Sequence, residues 1–155
     1  MPECGLADKQ AWPDSCNVNF YERHDDLVGP HADNEALFQG KHQEITIISL
    51  SLGGTRQLLV HAAKQVVGSI TLRNGDLMAM EKWTQAHLRH SIAKLPQDTQ
   101  ENPKRVNLTW RWIAQHKQNC ALASQHTIKV PATLPIPDKA VAADEAEHGW
   151  SVKSE

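Results

Sequence analysis

Arg105-Val106-Asn107-Leu108-Thr109-Trp110-Arg111 alternates polar and apolar side chains without a break. A period of two belongs to a strand, where successive side chains point to opposite faces. Arg105, Asn107, Thr109 and Arg111 therefore share one face, and Val106, Leu108 and Trp110 share the other. The segment Ile45-Thr46-Ile47-Ile48-Ser49-Leu50-Ser51-Leu52 is rich in β-branched residues and stops at Gly53-Gly54, a second strong strand signal.

Arg56 to His61, Val66 to Leu72 and Leu77 to Met80 read as further strands. Asn74-Gly75 lies between the last two and favours a tight reversal, because both residues tolerate positive φ. Asn17 to Asp33 reads as extended structure broken by polar turns, with Val18, Phe20 and Leu27-Val28 as its apolar points. Several short strands with turn signals and little helical period predict an all-β domain, a sandwich or jelly roll, over residues 17–118. Residues 1–16 read as an N-terminal loop. Residues 119–155 carry Pro131, Pro135 and Pro137 and then an Ala- and acid-rich end without core pattern, and are expected to be a disordered tail. There is no internal repeat.

A chain of 155 residues suffices for one domain with a hydrophobic core and is short for two. Sixteen Lys and Arg against eighteen Asp and Glu give a formal charge of −2. That lacks the basic bias of a dedicated nucleic-acid binding module, while leaving room for an enzyme with a local basic groove. Cys4, Cys16 and Cys120 are odd in number and far apart, so they form neither a zinc spacing nor a disulfide framework. A reducing compartment is expected, nucleus or cytoplasm. No apolar run approaches the ~18 residues of a membrane span, and Met1 to Asp14 lacks a signal-peptide core.

Two His and one carboxylate on one face of a metal are the ligands of non-haem iron oxygenases, which leave the other positions open. His-x-Asp at a strand end supplies two of them, since i and i+2 share a face. His31-Ala32-Asp33 fits, but so do His24-Asp25-Asp26 and His42-Gln43-Glu44, as spacing alone allows. A third ligand must come from a distant strand, and His87 and His90 both follow Leu77–Met80. The residues alone do not separate those two.

Arg105 and Arg111, with Asn107 and Thr109 between them, read either as a solvated strand face or as a dicarboxylate clamp. Guanidinium is the side chain best suited to bidentate carboxylate binding. 2-Oxoglutarate has a carboxylate at each end, which a pair of arginines separated along one strand would suit. Asn19 and Tyr21 form a second same-face pair able to donate hydrogen bonds. Trp110 reads as core, and Trp83 as a residue able to border the site.

Together these stretches resemble the AlkB-like Fe(II)/2-oxoglutarate-dependent dioxygenases, the nucleic-acid dealkylases. The matching text is Asn19-Phe20-Tyr21, His31-Ala32-Asp33-Asn34-Glu35, Ile48 to Gly53, Leu72-x-x-Gly75-Asp76-Leu77-Met78-x-Met80, Gln85 to Ser91, and Arg105 to Arg111. Arg-x-Asn-x-Thr-x-Arg is the most specific of these and His-x-Asp the least. The resemblance implies a double-stranded β-helix, the jelly roll that strand spacing predicts. It implies iron ligands His31, Asp33 and His90, with His90 preferred to His87 because Ser91-Ile92 follows it. It implies that Arg105 meets the far carboxylate of 2-oxoglutarate with Asn19 and Tyr21 helping, and that Arg111 and Asn107 lie towards the iron end. Asn34 and Glu35 would face the substrate.

The activity it implies is oxidative dealkylation of alkylated bases in DNA or RNA, single strands favoured, as in DNA repair. Fe(II) and 2-oxoglutarate are the implied cofactors, and succinate, carbon dioxide and formaldehyde the products. Three departures from the family pattern stand out. Only eighteen residues precede Asn19, where a substrate-reading lid and further strands are expected, so the lid is expected to be lacking. Asn34 stands where an acid is common. Pro30 precedes His31, which requires a strand edge or start. The alternatives are a hydroxylase of the same fold acting on protein or a small molecule, and a truncated inactive remnant.

Overall fold

The computed structural model describes residues 6–100, 102–117, 119–120 and 150–153. In chain order the strands are β1 (Ser15–Tyr21), β2 (Val28–His31), β3 (Ile47–Gly53), β4 (Arg56–Ala62), β5 (Gln65–Leu72), β6 (Leu77–Met80), β7 (Arg89–Ile92), β8 (Arg105–Arg111) and β9 (Trp150–Lys153). Among the described residues, one short helix, α1 (Thr84–His87), and a 3-10 turn at Lys9–Ala11 complete the regular structure. Two sheets form, in the orders β1-β8-β3-β6-β9 and β2-β7-β4-β5, and all pairings are antiparallel. The predicted all-β jelly roll is the fold observed.

Strand alternation decides what the sheets enclose. In β8 the burial pattern alternates strictly, with the Arg105, Asn107, Thr109 and Arg111 side chains buried and Val106, Leu108 and Trp110 half-buried. Beside it, β3 places Ser49 opposite Thr109 and Ser51 opposite Asn107. The space between the sheets is thus polar along β8 and apolar elsewhere, where Ile47, Leu58, Val60, Ile70, Leu72, Met78, Met80 and Ile92 form the main core. Burying each such side chain contributes about 1.5–3 kcal/mol.

A second, smaller cluster sits on the outer face of the five-stranded sheet, where Leu6 and Trp112 pack with Ile48 and Ala79. The segment before β1 is therefore anchored. Trp12 Nε1 donates to the Leu6 carbonyl at 2.9 Å and Trp112 Nε1 to that of Ala11 at 3.0 Å, while the Ile113 N–H donates to Asp14 Oδ1 at 2.8 Å. Further along the same face Val18 and Phe20 are 64% and 61% exposed.

Turns carry the chain between sheets. Gly53 has φ +93°, and a Cβ at Gly54 would lie 1.9 Å from the Asn102 carbonyl oxygen, so only glycine admits the segment that enters β8. The expected reversal at Asn74-Gly75 exists, but it does not pair β5 with β6. It passes the chain from one sheet to the other, with Asn74 Oδ1 accepting from Gly53 N–H and Asp76 Oδ2 from Arg73 N–H. Pro30 lies in β2, an edge strand with a register shift between Val28 and His31, where a missing donor costs little.

Two boundaries differ from expectation. β1 begins at Ser15, inside the segment read as a loop. Within the tail expected to be disordered, Trp150–Lys153 pairs with β6, whose outer edge would otherwise stay unpaired. Residues 121–149 lie outside the described residues. A four-residue strand after a proline- and acid-rich stretch leaves no composition signal. Among the described residues no helix is long and apolar enough to cross a membrane.

Candidate metal centre and co-substrate pocket

β2 and β7 bring His31 and His90 into register as cross-strand partners. Their ring centroids lie 4.3 Å apart with planes tilted by 54°. Asp33 follows as the chain leaves β2, held by its backbone N–H donating to Gln85 Oε1 at 2.9 Å. Ligand atoms of His31, Asp33 and His90 all lie within 4.8 Å of one another, and no other such group occurs among the described residues.

The supporting groups prepare these side chains for a cation. His31 Nδ1 is 2.9 Å from the Gly29 carbonyl oxygen, which calls for a proton on Nδ1 and leaves Nε2, 3.5 Å from Asp33 Oδ1, to ligate. Burial, reinforced by repulsion from His31, Arg111 and His61, pushes the His90 pKa down to about 3, so its imidazole is neutral at physiological pH. Neutral imidazole is the ligating form.

The other candidate motifs do other things. Asp26 Oδ2 accepts from the N–H groups of Glu22 and Arg23 at 2.7 and 2.9 Å, a turn role that lowers its pKa. His42 is exposed. His87 is exposed too, its ring 6.2 Å from that of Trp83. Trp83 does not line the pocket beside the metal ligands.

That pocket, of about 190 Å³, is bounded by His31, Asp33, His90, Asn19, Tyr21 and Arg111. Asn107, Glu35 and an apolar wall that includes Leu58 and Met78 complete it. Arg111 is 3% exposed, with Nη1 3.5 Å from Asp33 Oδ2 and 3.7 Å from Glu35 Oε2, and its guanidinium lies 4.4 Å from the Phe38 ring centre. Arg105, 1% exposed, donates from Nη2 to Ser51 Oγ at 2.9 Å and also to Asn107 Oδ1. Asn107 in turn accepts from Ser49 Oγ at 3.1 Å and donates to Thr109 Oγ1 at 2.7 Å. Asn34 Nδ2 donates to the Gln85 carbonyl at 3.3 Å, beside the pocket rather than in it.

Six residues of strand put the Cα atoms of Arg105 and Arg111 about 20 Å apart. Strand separation alone is thus far too long for a five-carbon diacid. Arg105 shortens it by leaning along β8 to Asn107.

Electrostatics mark where an anion is wanted. Burial lowers the Arg105 pKa and raises that of Tyr21, and the two groups lie face to face with the guanidinium carbon 5.0 Å from the ring centre. No carboxylate pairs with Arg105 among the described residues, and its Nε and Nη1 have no hydrogen-bond partner of good geometry beyond the Tyr21 side chain against it. The Arg111 Nε has none either, and its Nη1 meets the Asp33 and Glu35 carboxylates only at 3.5 and 3.7 Å. Buried cationic donors without acceptors are costly and fit an anionic ligand.

This constellation agrees with a family match. The model of the 2OG-Fe(II) oxygenase superfamily fits residues 3–111. The chain belongs to that superfamily. Fe(II) and 2-oxoglutarate are the cofactors of these oxidoreductases, and the three-residue ligand set and unsatisfied guanidiniums fit the pair. Among solved structures the oxygenase is similar to OsALKBH1, a plant AlkB homologue, with 26% identity and a TM-score of 0.53. The likeness covers 64% of this chain and 48% of the other, so the oxygenase spans about half the length of that structure. No curated protein matches it.

Reading residues one by one misses the supporting cast. Gln85, 1% exposed, orients Asp33 from α1 and donates to Met80 Sδ, yet a single glutamine in a polar turn carries no pattern. Ser49 and Ser51 do have a signal, since small polar residues alternate with Ile48, Leu50 and Leu52 in an otherwise apolar strand.

Proposed function

We propose that this oxygenase removes alkyl groups from bases of DNA or RNA, single strands favoured, by hydroxylating the carbon attached to a base nitrogen so that formaldehyde leaves. The observation that carries the reading is the His31–Asp33–His90 set with the buried Arg111 guanidinium 3.5 Å from Asp33, and a second buried guanidinium with unmet donors, Arg105, further along the same strand face. The likeness to an AlkB homologue supports the substrate class.

Bound iron and 2-oxoglutarate supply the activation of oxygen, with succinate and carbon dioxide as by-products. The chain's own residues orient and exclude. His31 offers Nε2, Asp33 a carboxylate oxygen and His90 a neutral imidazole on one side of the metal. Arg111, close to Asp33, takes the metal-proximal carboxylate of the diacid, with Asn107 at its side. Arg105 takes the distal carboxylate, assisted by Tyr21 and Asn19. Leu58 and Met78 form part of the pocket's apolar wall, and excluding water there strengthens each charged contact. Glu35, which lines the pocket with its side chain 59% exposed, stands where a base withdrawn from its stack would meet it, and Asn34 lies beside the pocket, tied to the Gln85 carbonyl.

The test is anaerobic titration of the protein with Fe(II) and 2-oxoglutarate, following the visible charge-transfer band, and then succinate release with a methylated single-stranded oligonucleotide. His31→Ala and Asp33→Ala are expected to abolish both signals, and His24→Ala and His42→Ala to keep them. Full turnover in His31→Ala overturns the ligand assignment. Succinate release stimulated by a peptide or small molecule, and not by the oligonucleotide, moves the substrate to the same-fold hydroxylase alternative, which the net charge of −2 favours.

A further inference from the structure

A second cleft, of about 480 Å³, opens on the outer side of the strands that carry the metal ligands. Its walls are the turn between β4 and β5, α1 with the start of β7, and Ala32 and Asn34, which flank Asp33. Alternation explains the placement: His90 points into the metal pocket while its neighbour Arg89 lines the outer cleft.

Every ionisable residue in the cleft's lining is basic. His61, Lys64, His87 and Arg89 line it, and no Asp or Glu does, in a chain with eighteen acids against sixteen Lys and Arg. His61 and Arg89 are direct cross-strand partners. Basic groups placed opposite each other weaken a sheet when both are charged, unless an anion comes between them. Among the described residues neither Lys64 nor Arg89 forms an ion pair, although Arg23 elsewhere finds Asp25 and Asp26 at 3.3 and 3.7 Å. His61 Nε2 lies 2.8 Å from Ser91 Oγ, which fixes the ring in the wall. The absence of carboxylates and of any ligand-distance cluster argues against a cation and for an anion.

We infer that this cleft binds a phosphate group, and that the phosphate is one of the strand whose base enters the metal pocket. The second half of that inference rests on the nucleic-acid reading; the first rests on the cleft alone. A basic groove beside the site also reconciles an acidic chain with a polyanionic substrate, because the charge that matters is local.

The test measures binding of unmodified single-stranded oligo-dT, which carries no lesion, against salt concentration, for the intact protein and for Lys64→Gln, Arg89→Gln and Arg23→Gln. A parallel arm titrates inorganic pyrophosphate and follows the His61 and His87 ring resonances. Each single-strand phosphate contact contributes about 0.7 to the slope of log K against log salt. Lys64→Gln and Arg89→Gln are each expected to reduce the slope by about 0.7, which is about five-fold weaker binding at 0.1 M salt. Both should weaken pyrophosphate binding, and Arg23→Gln should change neither. Pyrophosphate binding that the two variants weaken, with no oligonucleotide binding at all, keeps the phosphate site and removes the strand. Unchanged slopes and pyrophosphate shifts in both variants, or no binding of either probe, overturn the inference.

Discussion

The two faces of β8 invert the usual arrangement of a sandwich. Facing the partner sheet are Arg105, Asn107, Thr109 and Arg111, all buried; facing out are Val106, Leu108 and Trp110, all half-buried. β1 repeats the inversion at one step, with Tyr21 3% exposed and the adjacent Phe20 61% exposed. Ordinarily the buried face supplies stability and the open face solubility. Here the buried polar face is held by a ladder of side-chain hydrogen bonds, Ser49 donating to Asn107 and Ser51 accepting from Arg105, and two guanidiniums are left with spare donors. The difference divides the space between the sheets, one part packed with apolar side chains and one lined with polar ones. A polar interior of this kind persists only when nearly every group in it is satisfied, so its unsatisfied atoms are its most informative ones.

The largest effect should come from cutting the buried polar face where it meets the candidate metal ligands. Arg111→Ala removes a charged donor set beside Asp33. Hydrogen bonds to charged groups are worth about 1.5–3 kcal/mol each, so 2-oxoglutarate affinity should fall by ten-fold to over a hundred-fold. The charge-transfer band at fixed co-substrate reports it. Leu108→Thr, on the outer face of the same strand, should leave the band and the affinity unchanged. Equal losses in the two variants would mean that Arg111 matters only for folding of β8, and the inner face would lose its special status.

The alternation that separates these faces is legible in the sequence of β8 and β3, and so are the strand class and the jelly roll. Which face is buried is not legible, because period two is symmetric and here the apolar face is the outer one. His31-Ala32-Asp33 can be read from its text, but its rivals at His24 and His42 can be dismissed only when Asp26 is seen capping Glu22 and Arg23 and His42 is seen exposed. His90 and His87 are separated by strand phase, since His90 lies in β7 and His87 ends α1. The basic cleft was beyond reach for a different reason. His61, Lys64, His87 and Arg89 come from two distant stretches that only the β4–β7 pairing joins. The pairing of Trp150–Lys153 with β6 was hidden in the same way, because a sheet edge recruits backbone and needs no side-chain pattern.

A smaller effect sharpens the contrast between Tyr21 and Phe20. Burial raises the Tyr21 pKa, against the opposing pull of Arg105 and Arg56. The folded protein therefore holds its proton to higher pH than the unfolded chain does. Stability from this group is fully present below the unfolded value, about 10, and is lost as pH rises through the folded one. Tyr21 is the only tyrosine in the chain, so phenolate absorbance during an alkaline titration reads it directly. Its ionisation should lag that of the protein in denaturant, and Tyr21→Phe should flatten the alkaline limb of stability relative to the parent. Ionisation at the same pH in both states would mean that Tyr21 is open to water and not part of the buried face.

The smallest effect tests the outer face. Phe20→Thr replaces a large apolar side chain that is 61% exposed with a β-branched one suited to a strand. Little burial is lost, so thermal or urea unfolding should shift by no more than about 0.5 kcal/mol, the usual range for surface changes. Register opposes Phe20 to Val106, which in turn opposes Leu52, and Leu52 is 38% exposed, so the row is open along its length. A loss of several kcal/mol would require the row to be covered in solution. The outer face would then be a second buried face, and the division of labour between the faces of β8 would no longer follow from exposure.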